Sequence, residues 1–180
     1  MSGLGFGGTC FGRDSKALIA MGRDIKLTNI IQQSIGVFND KHDDSIVSRA
    51  IKIISAIPNP SVGILGLTYK TDVDLVDDSN ALRIARKISE CGVSVKVFDP
   101  KGMEAAKKEV PMSRNFVYCD SMQECINDTD LVLLATPWKE FSSPDFSTMR
   151  HKQVLDCWRL WNQSLLESKG VKYYAVGLGC

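Results

Sequence analysis

The sequence lacks any strong excess of charge, and this absence excludes several classes of partner. Its 180 residues carry a formal net charge of +1 and include only two histidines. A chain without a field of one sign has no general attraction for a polyanion, so we expect neither nucleic acid nor an acidic membrane as its main partner. The six cysteines form no CxxC pair. We therefore expect neither a bound metal nor a disulfide framework.

Long hydrophobic segments are also missing. The apolar run 131–135 is far too short to span a bilayer, and the first residues have neither the basic flank nor the apolar centre of a signal peptide. These absences favour a cytoplasmic protein with reduced thiols. Four cysteines fall on predicted helices or in or beside predicted strands, and we expect them in the core: Cys91, Cys119, Cys125 and Cys157.

Glycine is concentrated at the start of the chain, where five of the fourteen glycines occupy the first twelve positions. This density predicts a loop that bends sharply or approaches another group closely. A helical apolar pattern follows over residues 14–21, and a longer one runs over 27–57 until Pro58 ends it. As one rod of roughly 30 residues the second pattern would be about 45 Å long and would need a partner. The alternative is a helix hairpin broken at residues 39–44.

From Ser61 onward the sequence changes to short β-rich runs that alternate with amphipathic stretches. This alternation predicts an α/β fold with a Rossmann-like parallel sheet of about six strands and helices on both faces. The run LVLLAT is apolar throughout, which is typical of a central strand covered on both sides. Ser79 is predicted to cap a helix that Gly92 ends. We divide the chain into a loop and helical segment over residues 1–58 and the sheet domain over 59–180.

Gly3, Gly5 and Gly8 match the GxGxxG fingerprint of dinucleotide-binding loops. That fingerprint binds pyrophosphate when a strand delivers the loop and a helix receives the phosphate, and only two residues precede Gly3. We therefore interpret the match as a decoy. A competing hypothesis, a free-standing NAD enzyme, requires a strand in front of this loop.

Five segments occur in an order that resembles the UDP-glucose/GDP-mannose dehydrogenase family: GFGGTCFGRD, LGLTYKTDVD, VKVFDP, LATPWKEF and VLDCWR. The resemblance covers nearly the whole chain. Members of this family look like three-part enzymes, with an N-terminal NAD-binding domain, a dimerising helical linker and a C-terminal domain for the sugar nucleotide. The resemblance therefore implies the central and C-terminal portions only. NAD would be bound mainly by the N-terminal domain that is missing here, and a homodimer would form through the long helix.

The resemblance also implies a reaction and its catalytic residues. The family oxidises C6 of a nucleotide sugar with two NAD, and UDP-glucose to UDP-glucuronate is the reaction expected here. The intermediates are a thiohemiacetal and a thioester on one cysteine, which Cys10 matches. Such chemistry needs a thiolate, which a nearby cation and a helix N-terminus both stabilise. Arg13, where the family has lysine, supplies the cation, and Asp14 matches the aspartate that activates water. Alone, the chain is expected to be inactive.

The same resemblance implies residues that hold the nucleotide sugar. Tyr69 and Lys70 match an aromatic–lysine pair at the end of the first strand, and ligands of open α/β sheets bind beyond the carboxyl ends of strands. Arg159 lies one position from a family arginine, so either it or neither reaches the ligand. The loop residues expected to form pocket wall are Phe6, Gly7 and Phe11.

Departures from the family pattern keep other interpretations open. Asp77 stands where an arginine would face the cofactor, and Trp158 occupies the place of another arginine. Such changes would suit a subfamily that holds NAD differently or a copy no longer selected for turnover. The alternative function is a noncatalytic nucleotide-sugar-binding and dimerisation module. In that case Cys10 would be a small buried residue in a tight turn and Asp14 a helix cap.

Overall fold

A computed structural model describes residues 3–178 of the chain. Its helices and strands follow one another in this order: α1 Phe11–Asp24, α2 Ile30–Ile54, β1 Ser61–Leu65, α3 Asn80–Glu90, β2 Ser94–Phe98, α4 Met103–Glu109, β3 Phe116–Tyr118, α5 Met122–Ile126, β4 Leu131–Leu134, a 3₁₀ turn Lys139–Ser142, β5 Gln153–Asp156, α6 Gln163–Ser168 and β6 Lys172–Ala175. Among residues 3–178 no helix combines the length and the apolar character needed to cross a membrane.

The six strands form one parallel sheet in the order β3-β2-β1-β4-β5-β6, which confirms the predicted sheet. The order reverses between β1 and β4, and the carboxyl ends of these two central strands border the crevice in which open α/β sheets bind ligands. Every residue of β1 and β4 is buried. The prediction that LVLLAT is covered on both faces is therefore confirmed.

Helices cover both faces of the sheet, as predicted. Along β4 the side chains alternate, so that Leu133 belongs to a core that includes α2 and α3 while Leu134 belongs to a second core under α5 and the 3₁₀ turn. Burying one such leucine fully stabilises the fold by about 1.5–3 kcal/mol. The carboxyl-terminal half of α2 contributes Ile46 and Ile54 to the first core. The helical segment and the sheet thus share one hydrophobic core.

The long helix α2 is continuous over 25 residues, about 38 Å at 1.5 Å per residue. The alternative of a hairpin broken at residues 39–44 is wrong. Asn39 and Asp43, two polar residues that suggested a break, are buried inside the helix. They are tolerated there because each makes hydrogen bonds to groups far along the chain: Asn39 to the carbonyl of Phe6, and Asp43 to Asn80.

The helix α3 begins and ends where its sequence predicts. The Ser79 hydroxyl oxygen accepts a 3.4 Å bond from the Leu82 amide, and Gly92 follows the helix with a φ of +83°. The prediction that Cys91 lies in the core is wrong, because this residue follows the last turn of α3 and is exposed. The other three cysteines expected in the core are buried: Cys119, Cys125 and Cys157. Cys180 lies outside the described residues.

Candidate active site at the glycine-rich loop

The glycine-rich loop, residues 3–10, is irregular and rests on α2 and on the segment 77–80 that precedes α3. From α2, the side-chain amide of Asn39 donates a 3.0 Å bond to the Phe6 carbonyl, and Nε2 of His42 lies 2.9 Å from the Gly3 carbonyl. From the segment 77–80, the Asp77 carbonyl accepts a 3.0 Å bond from the Gly8 amide. The loop therefore has a defined place although it belongs to no helix or strand.

Two glycines of the loop are required by close contacts. Gly8 has a φ of +93°, and a Cβ placed on it would lie 2.8 Å from Cε2 of Tyr69. A Cβ placed on Gly3 would lie 2.7 Å from the Trp158 ring. The loop thus passes directly over aromatic rings that follow β1 and β5. It reaches the carboxyl edge of the sheet within a single chain.

The GxGxxG match lies in the irregular loop at the start of the described residues. What precedes Gly3 lies outside residues 3–178, so the interpretation of GxGxxG as a decoy stays a prediction. The acidic residue after β2, Asp99, is unsuited to bind a ribose. Its buried carboxylate already accepts bonds from Leu67, Thr68, Lys101, Gly102 and Trp138. A carboxylate that accepts this many hydrogen bonds has a structural role, because it links the segments that follow β1, β2 and β4.

Cys10 lies at the N-cap position of α1 and is exposed. Its carbonyl accepts a 2.8 Å bond from the Asp14 amide, and its Sγ lies 3.4 Å from the Thr9 hydroxyl. The interpretation of Cys10 as a buried residue is therefore wrong. The unpaired amides of the first helical turn follow the cysteine directly, and this end of a helix favours a nearby negative charge.

The helix begins at Phe11, three residues earlier than its apolar pattern predicted. Asp14 consequently lies in the first turn, and the interpretation of Asp14 as the N-cap is wrong. Its carboxylate instead accepts a 2.9 Å bond from Nε of Arg13, with both side chains largely exposed. This hydrogen bond and the charge of Asp14 raise the pKa of Arg13 above its ordinary value, and the nearby Cys10 adds to the effect. Arg13 therefore stays a cation beside the thiol.

The buried cysteines have a different chemistry. Burial raises the pKa of Cys125 and of Cys157 far above that of an ordinary thiol. Such thiols are protonated at neutral pH and react slowly. Among the described residues the exposed thiols are Cys10 and Cys91, which makes Cys91 a natural reference for the reactivity of Cys10.

The aromatic residues of the loop pack together. The rings of Phe6 and Phe11 meet edge to face with centroids 4.5 Å apart. Phe6 also borders an apolar groove of about 450 Å³ along the first half of α2. Gly7 contacts the Asp78 carbonyl so closely that a Cβ would not fit. Of the predicted pocket wall, Phe6 and Phe11 form one aromatic surface beside Cys10, while Gly7 faces the segment 77–80.

Tyr69 and Lys70 follow β1 at the carboxyl edge of the sheet. Nζ of Lys70 lies 5.4 Å from the centre of the Tyr69 ring, and the lysine is exposed. Because Gly8 rests on the same ring, the structure brings together the loop that carries Cys10 and the aromatic–lysine pair. The loop that carries Cys10 and the aromatic–lysine pair are thus neighbours at the crevice beside β1.

Arg159 and Trp158 are placed differently. Arg159 has a φ of +57°, and its Nη2 donates a 3.3 Å bond to the Val176 carbonyl beyond β6. Nε1 of Trp158 donates a 2.8 Å bond to the Ala135 carbonyl beyond β4, and its ring covers Gly3. It is therefore Trp158 that contacts the glycine-rich loop, whereas Arg159 bonds the backbone at the end of the sheet domain.

A polar cluster behind the loop, in which Asp43 and Asn80 are buried, was not predicted. It consists of Asp43 on α2 together with Asp78, Asn80 and Arg83 at the start of α3. Asp43 lies four residues after Asn39, which places both side chains on one face of α2. This spacing of two polar residues inside an apolar helical pattern was the only available signal. Within residues 3–178 no group of three or more histidine, cysteine or acidic side chains is arranged to hold a metal ion.

The strand order and the loop over the carboxyl ends define a Rossmann-like α/β domain joined to a helical segment. A family model described as the UDP-binding domain of the UDP-glucose/GDP-mannose dehydrogenase family matches residues 63–163, more than half of the chain. The chain therefore belongs to the UDP-glucose/GDP-mannose dehydrogenase family.

Individual relatives agree with this assignment. The UDP-glucose 6-dehydrogenase of Rickettsia felis is 30% identical over 181 residues, which cover 98% of this chain and 40% of the relative. The solved UDP-glucose dehydrogenase of Pyrobaculum islandicum superposes with a TM-score of 0.81 at 27% identity, covering 98% of this chain and 39% of its own. A GDP-mannose dehydrogenase ternary complex from Pseudomonas aeruginosa shares the fold, with a TM-score of 0.79 at 17% identity over 99% of this chain and 41% of its own. The chain spans about 40% of the length of the curated relatives it matches.

Proposed function

We propose that the chain is part of an NAD-dependent dehydrogenase that oxidises C6 of a UDP-sugar, with UDP-glucose as substrate and UDP-glucuronate as product. One observation carries this proposal. The exposed Cys10 is the N-cap residue of α1 at the end of a loop whose Gly8 rests on Tyr69, at the crevice where α/β sheets bind ligands. The nucleophile and the nucleotide-binding edge are thus adjacent in one chain.

In this proposal Cys10 forms the covalent intermediate. The C6 alcohol would first lose a hydride, which NAD would accept, and its hydroxyl proton, which solvent water would take, to give the aldehyde. The Cys10 thiolate, favoured by the first turn of α1 and by Arg13, adds to this aldehyde and gives a thiohemiacetal. Loss of hydride from that carbon leaves a thioester, which water then hydrolyses. Asp14 takes the proton of the attacking water, and its exposed carboxylate is open to solvent. Because Asp14 engages Nε of Arg13, the Nη groups are the part of the guanidinium assigned to the sulfur and the oxyanion.

NAD would accept the hydrides, bound mainly by a part of the protein outside the described residues. The division into a loop and helical segment over residues 1–58 and a nucleotide-binding domain over 59–180 belongs to the same proposal, as does a cytoplasmic location. Within the second domain Lys70 is assigned to a phosphate and Tyr69 to the sugar nucleotide. Arg159 would join them only by exchanging its bond to the Val176 carbonyl for the ligand. The pocket wall is assigned to Phe6, Gly7 and Phe11.

We further propose a homodimer formed through α1 and α2. The first half of α2 presents large apolar side chains to solvent, among them Ile30, Ile31 and Phe38, which are 66%, 70% and 72% exposed. These three line the apolar groove beside Phe6. Fully burying one such side chain in an interface contributes about 1.5–3 kcal/mol. A second copy of the same helical segment is the partner that this face is proposed to meet.

Calorimetric titration of the chain with UDP-glucose, UDP-N-acetylmannosamine, GDP-mannose and UDP tests the binding part of the proposal. We expect the uridine nucleotides to bind and Lys70→Ala to weaken them about tenfold or more, the loss of one charged hydrogen bond. Lys172→Ala is the matched control. It removes the same charge at the amino end of β6, whereas Lys70 lies at the carboxyl ends of the strands. Equal affinity for the nucleotide in both variants would show that Lys70 does not contribute to binding.

Turnover is tested by supplying the NAD-binding domain of a relative and following NADH formation from UDP-glucose. Cys10→Ala should abolish the signal, whereas Cys91→Ala, which removes the other exposed thiol of residues 3–178, should leave it unchanged. A noncatalytic nucleotide-sugar-binding module is the second candidate. It is favoured by the mutual pairing of Arg13 and Asp14, which occupies both catalytic side chains with each other. Such a module would bind UDP-glucose, and its Cys10 would react no faster than Cys91.

A further inference from the structure

We propose that Arg83 is a positioning residue for the cysteine loop, held in place by the buried Asp43 and acting on the loop through Asp78. The proposal rests on the proposed function, since it concerns the reactivity of Cys10. Arg83, Asp43 and Asp78 belong to the polar cluster behind the loop, which no sequence motif indicated.

The first contacts that link Asp43 to the cysteine loop lie between α2 and α3. The carboxylate of Asp43 is completely buried and accepts a 3.0 Å bond from Nε of Arg83 and a 2.8 Å bond from the side-chain amide of Asn80. A buried carboxylate without a cationic partner is strongly disfavoured. Asp43 therefore fixes the orientation of the Arg83 guanidinium relative to both helices.

The second contacts lead from Arg83 toward the loop. Nη1 of Arg83 donates a 3.1 Å bond to the Asp78 carbonyl and a second bond to the Asp78 carboxylate. Asp78 has a φ of +49°, so its backbone adopts a conformation that costs free energy and needs such contacts to persist. The guanidinium thus clamps both polar groups of Asp78 at once.

Asp78 in turn lies against the backbone on both sides of Cys10, at Gly7 in the loop and at Gly12 in α1. Its second carboxylate oxygen lies 2.6 Å from the position of a Cβ on Gly12, the second residue of α1. Its carbonyl fills the space beside Gly7. A displacement of Asp78 would therefore displace the backbone that precedes and follows the cysteine.

Charge gives the clamp a second effect. Three charged groups lie at the first turn of α1, which follows Cys10: Arg13 and Asp14, which pair with each other, and Asp78, whose carboxylate lies against Gly12. A carboxylate at the start of α1 opposes the formation of a thiolate there. While Arg83 neutralises Asp78, that opposition is small. Once Arg83 is removed, the negative charge of Asp78 is free to act on Cys10.

The test is the pH profile of Cys10 alkylation, measured with iodoacetamide by peptide mass spectrometry and expressed relative to Cys91 in the same molecule. In Arg83→Gln we expect the profile to move to higher pH and the relative rate of Cys10 at pH 7 to fall about three- to tenfold. Adding Asp78→Asn should move the profile back toward that of the wild type, because the uncompensated charge is then gone. A purely structural role would lower the unfolding temperature and leave the pH profile in place.

Lys87→Gln is the matched control. Lys87 lies one turn further along α3 and bonds Asp44, the neighbour of Asp43, at 2.7 Å on the exposed side of the same helix pair. Its loss removes the same charge and the same kind of helix contact, and the Cys10 profile should not change. If Arg83→Gln does not fold, Arg83→Lys keeps the charge and cannot bond Asp43 and Asp78 in the same geometry, so an intermediate shift is expected.

The two proposals fail in different ways. A wild-type Cys10 that reacts no faster than Cys91 would refute the proposed function. A fast wild-type Cys10 with an unchanged profile in the folded Arg83 variants would leave the proposed function intact and overturn the positioning role.

Discussion

Replacing Gly8 by alanine should release the glycine-rich loop from the sheet while leaving the sheet folded. Gly8 has a φ of +93°, which costs a residue with a Cβ about 1–2 kcal/mol. The new methyl group would also stand 2.8 Å from Cε2 of Tyr69, where about 3.5–4.0 Å is comfortable, and such overpacking costs about 1–3 kcal/mol. The two effects together amount to about 2–5 kcal/mol.

The loop can avoid this cost by leaving its place. Its docking rests largely on hydrogen bonds from Asn39 to Phe6, between His42 and Gly3, and from Gly8 to Asp77. At about 0.5–1.5 kcal/mol each, these three bonds contribute about 1.5–4.5 kcal/mol. Because the strain and the docking energy are similar, we expect the loop to be undocked in a large fraction of the molecules.

Hydrogen–deuterium exchange measures this directly. Peptides covering residues 3–12 should exchange faster in Gly8→Ala, and those covering β1 and β4 should not change. Gly92→Ala is the control, since Gly92 also has a positive φ, +83°, and a Cβ there meets nothing within 4 Å. Adding Tyr69→Ala to Gly8→Ala should recover part of the docking, because the contact with the ring is gone. Wild-type exchange of residues 3–12 in Gly8→Ala would show that the loop does not rest on Tyr69.

Other consequences of the structure can be checked independently. Phe38→Glu should convert the proposed dimer to a monomer in sedimentation equilibrium, and Leu165→Glu, at an exposed apolar residue of α6, should not; a monomeric wild type would refute the dimer. Asp99→Asn should lower the free energy of unfolding, measured in urea, by about 2–4 kcal/mol. The NH2 group of the new amide would face N–H donors whose hydrogen bonds the carboxylate now accepts. A loss below about 1 kcal/mol would contradict the structural role of Asp99. Burial raises the pKa of Tyr118 to about 12, above the value of about 10 in an unfolded chain. The contribution of Tyr118 to the free energy of unfolding is therefore complete below about pH 10 and is lost as the pH rises to about 12. Tyr118→Phe should flatten the alkaline part of a plot of unfolding free energy against pH.

The sheet domain was predictable because its elements are determined by nearby residues. Short apolar runs separated by amphipathic stretches, with Ser79 and Gly92 at the ends of α3, indicate strand, helix and strand without knowledge of distant contacts. The parallel order follows from the same alternation. The family segments then placed Cys10, Tyr69 and Lys70 in order along the chain, and the structure brings the loop of Cys10 to Tyr69.

The helical segment was harder to predict because distant residues decide it. Asn39 and Asp43 look like helix breakers in sequence, but their partners Phe6 and Asn80 lie 33 and 37 residues away. The start of α1 was placed too late because no side-chain cap marks it. Cys91 was predicted to lie in the core because it is three residues after Ile88, in line with the apolar face of α3. The helix ends one residue before it, at Glu90, and Cys91 is exposed.

Protection of Cys10 by the nucleotide sugar tests the central claim most directly, namely that the cysteine and the strand ends near Tyr69 form one site. The chain would be saturated with UDP-glucose, as judged by calorimetry, and alkylated with iodoacetamide while Cys10 and Cys91 are followed separately. We expect the alkylation of Cys10 to slow about tenfold or more and that of Cys91 to stay constant. Full saturation with no change at Cys10 would contradict the account, because the bound sugar would then lie away from the sulfur.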